Sequence, residues 1–311
     1  MKLFTSIVAS VLSICCGLVF IVSSVSKWPV LESFGWTIVE NTWLNWTAGE
    51  WLARLLVGAE LLIGVLFVTH IAVRKVAIPL SLLLLAVLSI YLVAVYRLYG
   101  PAGNCGCFGE WIPMTPLQSL VKNAILFALV SGVSFLKPYS FHFPYKRWVI
   151  ATVTLICLLT PFLVLPPESI YIIEKDKTLH EAVPLSLLYT SPNNTPPKVE
   201  LRKGKHVIAL LSLSCHFCRK AARRMHIMKL KHPELPFYFV LNGDPARLND
   251  FFSETKANNI PYTLFNGAEQ FTRLNNGYSV PSIKWIEDTT LVRQPSYMSL
   301  QEDEILAWMH P

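Results

Sequence analysis

Charge is scarce in this 311-residue chain: Asp, Glu, Lys and Arg make up 15% of it, against about 25% in soluble domains. Hydrophobic residues reach 53% and mean hydropathy is +0.44. These values exclude an ordinary soluble protein, a disordered chain, a collagen and a coiled coil. The length allows two or three domains at roughly 100–200 residues each. What charge there is, is unevenly spread. Residues 1–165 carry 10 Lys+Arg and 5 Asp+Glu, while residues 166–311 carry 17 and 15. The first part reads as membrane and the second as a soluble domain. The net charge of +7 does not call for nucleic acid, because much of the excess sits in short loops where membrane orientation explains it.

Five apolar stretches are long enough to cross a bilayer, which takes about 20 residues: 4–26, 51–70, 76–98, 114–136 and 148–165. The first lacks a convincing Ala-x-Ala cleavage site, and the bulky Ile14 makes Cys15 a poor lipoprotein site. It is therefore expected to be a retained anchor. Arg74 and Lys75 follow the second stretch, and Lys137, Lys146 and Arg147 follow the fourth. The other loops are mostly acidic, with Glu32, Glu40, Glu50 and Glu110. The positive-inside rule then predicts a cytoplasmic N-terminus, five crossings and a C-terminal domain that is periplasmic or extracellular, on a bacterial cytoplasmic (inner) membrane. Trp28, Trp36, Trp43, Trp46, Trp51 and Trp111 fall on the outer side, as an interfacial belt facing lipid would.

Seven cysteines are present. Cys15, Cys16 and Cys157 lie in apolar stretches and read as small inert hydrophobes. The other four form two close pairs, Cys105-Gly-Cys107 and Cys215-His-Phe-Cys218. The topology puts both pairs on the outer side, where disulfides form and persist.

The flanks of the second pair are informative. The run from His206 to Leu213 reads as a buried strand, and residues 216–231 read as a helix. Cys215 therefore sits at a helix N-terminus, where the dipole favours a thiolate, and His216 and Arg219 add positive charge nearby. Cys215 is the expected attacking thiol and Cys218 the resolving one. A zinc site wants four ligands, and no second Cys or His pair stands in this domain. No metal site is expected.

This half resembles the thioredoxin fold over about 120 residues. A strand at 237–242, a helix at 245–257, a hairpin at 283–286 and 290–294 and a final helix at 299–309 follow the cysteines. Val280-Pro281 is placed like the family's cis-proline loop. The resemblance implies that Pro281 packs beside the cysteines, that the backbone at Val280 pairs with a substrate strand, and that His216, Val280 and Pro281 face the substrate. Leu213-Ser214 replaces the tryptophan that often precedes the motif, and Ala209 stands where a buried acid often relays protons.

Two cysteines one residue apart can close only a small, strained ring, which makes a disulfide easier to reduce. The spans beside that loop contain unexpected polar residues: Arg54 and Glu60 in the second, Arg97 near the end of the third, and Lys122-Asn123 in the fourth. Glu60 and Lys122 each lie roughly 13 Å from the outer face at about 1.5 Å per residue. Intramembrane charge is costly and usually paired, so a Glu60–Lys122 ion pair is expected, within a polar network that includes Arg54, Arg97 and Asn123. Gly58 and Gly64 allow close helix packing. The set Arg54, Gly58, Glu60 and Gly64, with Cys105-Gly-Cys107-Phe108-Gly109 and Lys122-Asn123, resembles the DoxX-like superfamily and specifically the methylamine-utilisation MauE family, over about residues 5–136. That resemblance implies a membrane domain that works with a thioredoxin-like partner in forming disulfides in exported protein.

The expected architecture is a multi-pass α-helical membrane bundle followed by an α/β thioredoxin-like domain. A DoxX-like four-helix bundle spans 1–140, a fifth membrane helix and linker 141–200, and the thioredoxin-like domain 201–311. The expected function is membrane-bound thiol–disulfide exchange, with Cys215, Cys218, Cys105 and Cys107 as the reacting groups. Its partners would be an exported thiol or disulfide protein and membrane lipid. No cysteine pair is placed for a relay from inside, which favours oxidation, with a membrane quinone as the acceptor suggested by analogy alone. A Cu(I) metallochaperone or scaffold is the first rival, without a Met-rich or His-rich tract to support it. A small-molecule transporter built on Glu60 and Lys122, with incidental cysteines, is the second.

Overall fold

The computed structural model describes residues 2–100, 115–136, 145–167, 177–190 and 194–310. The chain folds as two units, Met1–Pro167 and Glu168–Pro311.

The first unit is built on five long apolar helices of a multi-pass membrane protein: α1 (Lys2–Ser26), α3 (Trp46–Val68), α4 (Ile78–Tyr99), α5 (Pro116–Leu136) and α6 (Lys146–Val164). Their outward faces keep large apolar side chains exposed, such as Ile7, Val11, Leu18, Ile90 and Leu155. Lipid is the solvent that tolerates such a surface. Helix packing relies on small residues. A Cβ on Gly17 would stand 2.7 Å from the Gly64 carbonyl oxygen, and one on Gly64 2.8 Å from that of Gly17, so α1 and α3 cross with their backbones nearly touching. The hydroxyls of Ser13 and Ser24 donate across this crossing to the carbonyls of Phe67 and Val57, both at 2.9 Å. Gly58 gives α6 the same close access, since a Cβ there would lie 2.9 Å from the Cys157 carbonyl oxygen.

The connection between the first two spans contains a helix that the apolar-run reading did not resolve. This is α2 (Leu31–Asn41), whose Leu31, Phe34 and Ile38 pack on Ala53 and Val57 of α3. It changes the account of the tryptophans. Trp43 is 91% exposed, as a belt residue would be, but Trp36 and Trp46 are buried within the unit. Trp111 lies outside the described residues. Asn45 caps α3 by accepting from the Ala48 N–H at 2.9 Å. A π-helical turn over Val73–Ala77 carries Arg74 and Lys75 into α4.

The second unit is a six-stranded sheet in the order β1-β6-β5-β2-β3-β4. The strands are β1 (Lys177–Ala182), β2 (Lys205–Ser212), β3 (Phe237–Asn242), β4 (Tyr262–Leu264), β5 (Ser282–Glu287) and β6 (Thr290–Gln294). The strands β2, β3 and β4 run parallel, while β5, β6 and β1 add antiparallel pairs. β2 is enclosed on both faces, so it reads as an unbroken apolar run rather than an alternation. The helices are α7 (Leu187–Thr190), α8 (His216–Lys231), α9 (Leu248–Thr255), α10 (Ala268–Leu274) and α11 (Glu302–Met309).

The strands and α8 expected downstream of residue 205 form at or within a residue of their sequence-based positions. The expected 245–257 helix is instead a 3₁₀ turn at Pro245–Arg247 followed by α9, which ends at Lys256 with φ 55°. The larger difference lies upstream. The stretch expected to be linker contributes β1 and α7, so the sheet begins before residue 201. β1 reads Lys-Thr-Leu-His-Glu-Ala and is held as an edge strand by backbone pairing to β6 across a bulge. A charged edge strand carries little hydrophobic signal.

Candidate functional site

The strand β2 ends at Ser212 and α8 begins at His216, leaving Leu213, Ser214 and Cys215 to make the turn. Leu213 is fixed by its N–H to the Asn242 carbonyl at 2.9 Å. Gly243 leaves room beside it, since a Cβ there would stand 3.2 Å from that of Leu213 and its φ is +134°. Cys215 is the N-cap of α8, and its Sγ accepts from the Cys218 N–H at 3.3 Å. A sulfur at this position receives one of the unpaired N–H groups of the first helical turn and the positive end of the helix dipole. The helix supports that polarity with no acid in its first turn and with Lys229 and Lys231 in its last.

The two cysteines are placed unequally. Cys215 is partly exposed, whereas Cys218 is 0% exposed and accepts from the Ser212 N–H at 3.3 Å. Burial pushes the Cys218 thiol up, the contact with Cys215 adds to the rise, and the Ser212 hydrogen bond opposes it. Ala209, at the position of the missing acid, is buried in β2. His216 and Phe217 are exposed, with their rings 5.8 Å apart edge-on. Phe217, at 53% exposure, adds an apolar surface between the cysteines. The Val280–Pro281 peptide bond is cis, as the sequence position implies, and Val280 packs against the core under the sheet.

Arg219 does not serve as free positive charge beside Cys215. Its guanidinium donates to Glu254, to Asp250 Oδ2 at 2.9 Å and to the Leu213 carbonyl at 3.0 Å. It therefore ties α9 to the turn that carries the cysteines.

The polar residues of the bundle form a different network from the one expected. Glu60 pairs with Lys27 rather than with Lys122: Lys27 Nζ lies 2.8 and 2.6 Å from the two carboxylate oxygens. Lys27 is 4% exposed, also donates to Ser23 Oγ at 2.9 Å, and sits 5.9 Å from the centre of the Phe34 ring. Helix order explains the correction. Lys27 follows the end of α1, which packs directly on α3, whereas Lys122 rides on α5, which packs on α4 and α1. Asn123 is buried and donates from Nδ2 to Ser89 Oγ on α4 at 3.3 Å. Arg54, 1% exposed, donates to the carbonyls of Leu165 at 2.8 Å and Pro166 at 3.0 Å, and so caps the C-terminus of α6. It also donates to the Glu50 carbonyl at 2.9 Å. Arg97 is exposed in the last turn of α4. Cys105 and Cys107 lie outside the described residues.

Sequence reasoning left Lys27 among the loop charges. The signal was its spacing of four residues from Ser23 at the end of an apolar run, which only the α1–α3 crossing makes legible. It also passed over Lys284, a fully enclosed lysine in β5.

Residues 5–136 match the family model described as Methylamine utilisation protein MauE, a span that includes Cys105 and Cys107. The chain is 26% identical over 332 aligned positions to Protein TlpB of Flavobacterium psychrophilum, covering 92% of this chain and 90% of that protein. A crystal structure of a secreted Mycobacterium tuberculosis disulfide oxidoreductase, homologous to DsbE of E. coli, is 18% identical, with a TM-score of 0.28, over 34% of this chain and 80% of that one. The chain thus pairs a membrane unit similar to MauE over residues 5–136 with an α/β unit built on a six-stranded mixed sheet.

Proposed function

We propose that this protein is a thiol–disulfide oxidoreductase of the bacterial cytoplasmic membrane that oxidises exported thiol proteins. The observation that carries the reading is the pairing of a partly exposed Cys215 at the N-terminus of α8 with a buried Cys218 one turn behind it. Parity supports a shared compartment for the two cysteine pairs. Cys105 follows three candidate spans and Cys215 follows five, so an odd number of crossings precedes each. The positive-inside rule makes that compartment the outside.

The reaction balances as two exchanges. A substrate thiolate attacks Cys215 Sγ of the Cys215–Cys218 disulfide, and Cys218 leaves and takes a proton. A second substrate thiol, losing its proton, attacks the mixed disulfide. The substrate is released oxidised and the pair is left as two thiols. Cys215 then attacks the Cys105–Cys107 disulfide, and Cys218 resolves that mixed disulfide, so the loop pair ends reduced. Returning it to the disulfide requires a two-electron acceptor, and a membrane quinone is the class that fits. Asn123 supports a seat for one, because among the described residues its buried Oδ1 has no hydrogen-bond partner and could accept from a hydroquinone hydroxyl. Oxidation is favoured over delivery of cytosolic electrons because Cys16 and Cys157 are buried in apolar packing and Cys15 faces outward from the bundle.

Cys218→Ala tests the reading. In cells it should accumulate a mixed disulfide through Cys215, to an exported protein or to Cys105 or Cys107, which reductant removes. A Cys218→Ala protein that forms no adduct, in cells where Cys215 remains alkylatable, would refute it.

A further inference from the structure

Lys284 is 0% exposed and sits on β5, three residues past Pro281, with Ile208 of β2 as its register partner. Among the described residues no carboxylate lies within ion-pair distance of it. Its Nζ stands 4.8 Å from the centre of the Tyr278 ring and 3.4 Å from the Asn275 carbonyl oxygen. These two groups bracket the turn that delivers the chain from α10 to Val280-Pro281. The turn is closely wired: Asn275 Nδ2 donates to the Tyr278 carbonyl at 2.6 Å, the Tyr278 N–H to the Asn275 carbonyl at 3.2 Å, and the Gly277 N–H to the Thr272 carbonyl at 2.9 Å. A buried ammonium is costly unless its charge and donors are met, and among the described residues the polar contacts of this one are with the turn.

We propose that Lys284 is a positioning residue: its ammonium, reaching back from β5, fixes the Tyr278–Val280 edge against which an extended segment of a substrate protein pairs. The proposal rests on the reading of Cys215 as the exchanging thiol and adds what sets the affinity for polypeptide. It also gives that affinity a pH signature. Burial pulls Lys284 down to about 8, opposed by the charge of Glu181. Glu181 on β1 is tied to Asn276 at 3.4 Å, and Tyr278 is the titratable group of the turn itself. Tyr238 of β3, on the same face of the sheet, is engaged with Thr263 at 2.6 Å. Ile208 of β2 and Leu274 of α10 are apolar, and Gln294 of β6 is uncharged and donates to Ser282. Below that pH the ammonium holds the ring and the carbonyl. Above it the neutral amine loses the attraction to the ring.

The test uses full-length protein in detergent with the Cys215–Cys218 pair oxidised. Two probes reduce it: dithiothreitol, which needs no backbone pairing, and an unstructured peptide of about ten residues carrying two cysteines. Comparing Lys284→Met with wild type at each pH cancels the changing thiolate fraction of the probe. At pH near 7 the variant should react about tenfold more slowly with the peptide, and within about twofold of wild type with dithiothreitol. At pH near 9.5 the two proteins should converge on the peptide as well. Tyr278→Leu should reproduce the loss, and the double variant should add nothing to it; this second variant serves if Lys284→Met fails to fold. Equal peptide rates at neutral pH, or an equal loss on both probes, would overturn the proposal alone. A wild-type protein that neither probe reduces would overturn the reading of Cys215, and the proposal with it.

Discussion

Two sulfurs three residues apart occupy opposite environments. Cys215 Sγ looks out from a helix N-terminus, while Cys218 Sγ is enclosed and meets a single backbone donor, Ser212 N–H. The outer sulfur can be approached from solvent, and in the proposed exchange the inner one acts only on what is already bonded to its neighbour. Because burial holds Cys218 protonated well above neutral pH, its attack on a Cys215 mixed disulfide depends on a small thiolate fraction. That fraction grows about tenfold for each unit of pH below the thiol's pKa. A carboxylate at position 209 could carry the proton away, but Ala209 stands there. The mixed disulfide between Cys215 and the loop pair should therefore live about tenfold shorter for each unit of rise between about pH 6 and pH 8. Acid quenching of full-length wild-type protein during reoxidation would measure that lifetime. A lifetime independent of pH would reveal a base beside Cys218 that the geometry does not supply.

At the scale of elements, the α1–α3 crossing sets the character of the bundle. Its closeness comes from two glycines, and its polarity from the Lys27–Glu60 pair and two serine hydroxyls that span it. Gly64→Ala would push a methyl to within 2.6 Å of Ile21 and 2.8 Å of the Gly17 carbonyl oxygen. Backbone cannot yield as a flexible side chain can, so the substitution should cost about 1–3 kcal/mol. Gly132→Ala meets nothing nearer than 3.9 Å and should be neutral or slightly stabilising through helix propensity. Thermal unfolding of the two variants in the same detergent separates the effects, and equal melting temperatures would mean that the helices do not cross so closely. The crossing also marks where the sequence stops being legible. Gly58 and Gly64 announce close packing, and five apolar runs announce five helices. Periodicity along one helix does not say which helix lies opposite, so Glu60 could be recognised as needing a cation while Lys27 went unrecognised as its source. In the sheet, β2, α8 and β3 were readable because enclosed strands and a capped helix leave strong marks in composition. β1 and α10 were not, since a charged edge strand and a seven-residue helix carry almost none. The placement of Cys215 and Cys218 at a strand end and helix start was plain from spacing and flanks, whereas Lys284 was hidden because only tertiary burial makes a strand lysine unusual.

For the whole molecule the governing constraint is membrane topology. Exchange between two cysteine pairs requires one compartment, and an odd number of spans before each pair meets that requirement whichever way the bundle is inserted. In the proposed exchange, joining both pairs in one chain would raise the effective concentration of each for the other, often into the millimolar range for a short connection. Encounters too weak to persist between separate proteins would then be productive without a large interface. In the proposed topology the positive-inside rule puts Arg74, Lys75 and Arg147 on the side opposite both pairs. A membrane-impermeant maleimide applied to intact spheroplasts after mild reduction should therefore label Cys215 and at least one of Cys105 and Cys107. A cysteine introduced at Lys75 should label only after permeabilisation. Labelling of Cys215 but not of the loop pair in intact spheroplasts, with the loop pair becoming reactive on permeabilisation, would place the pairs in different compartments. No direct exchange could then link them, and the second unit would have to draw its oxidising equivalents from another protein.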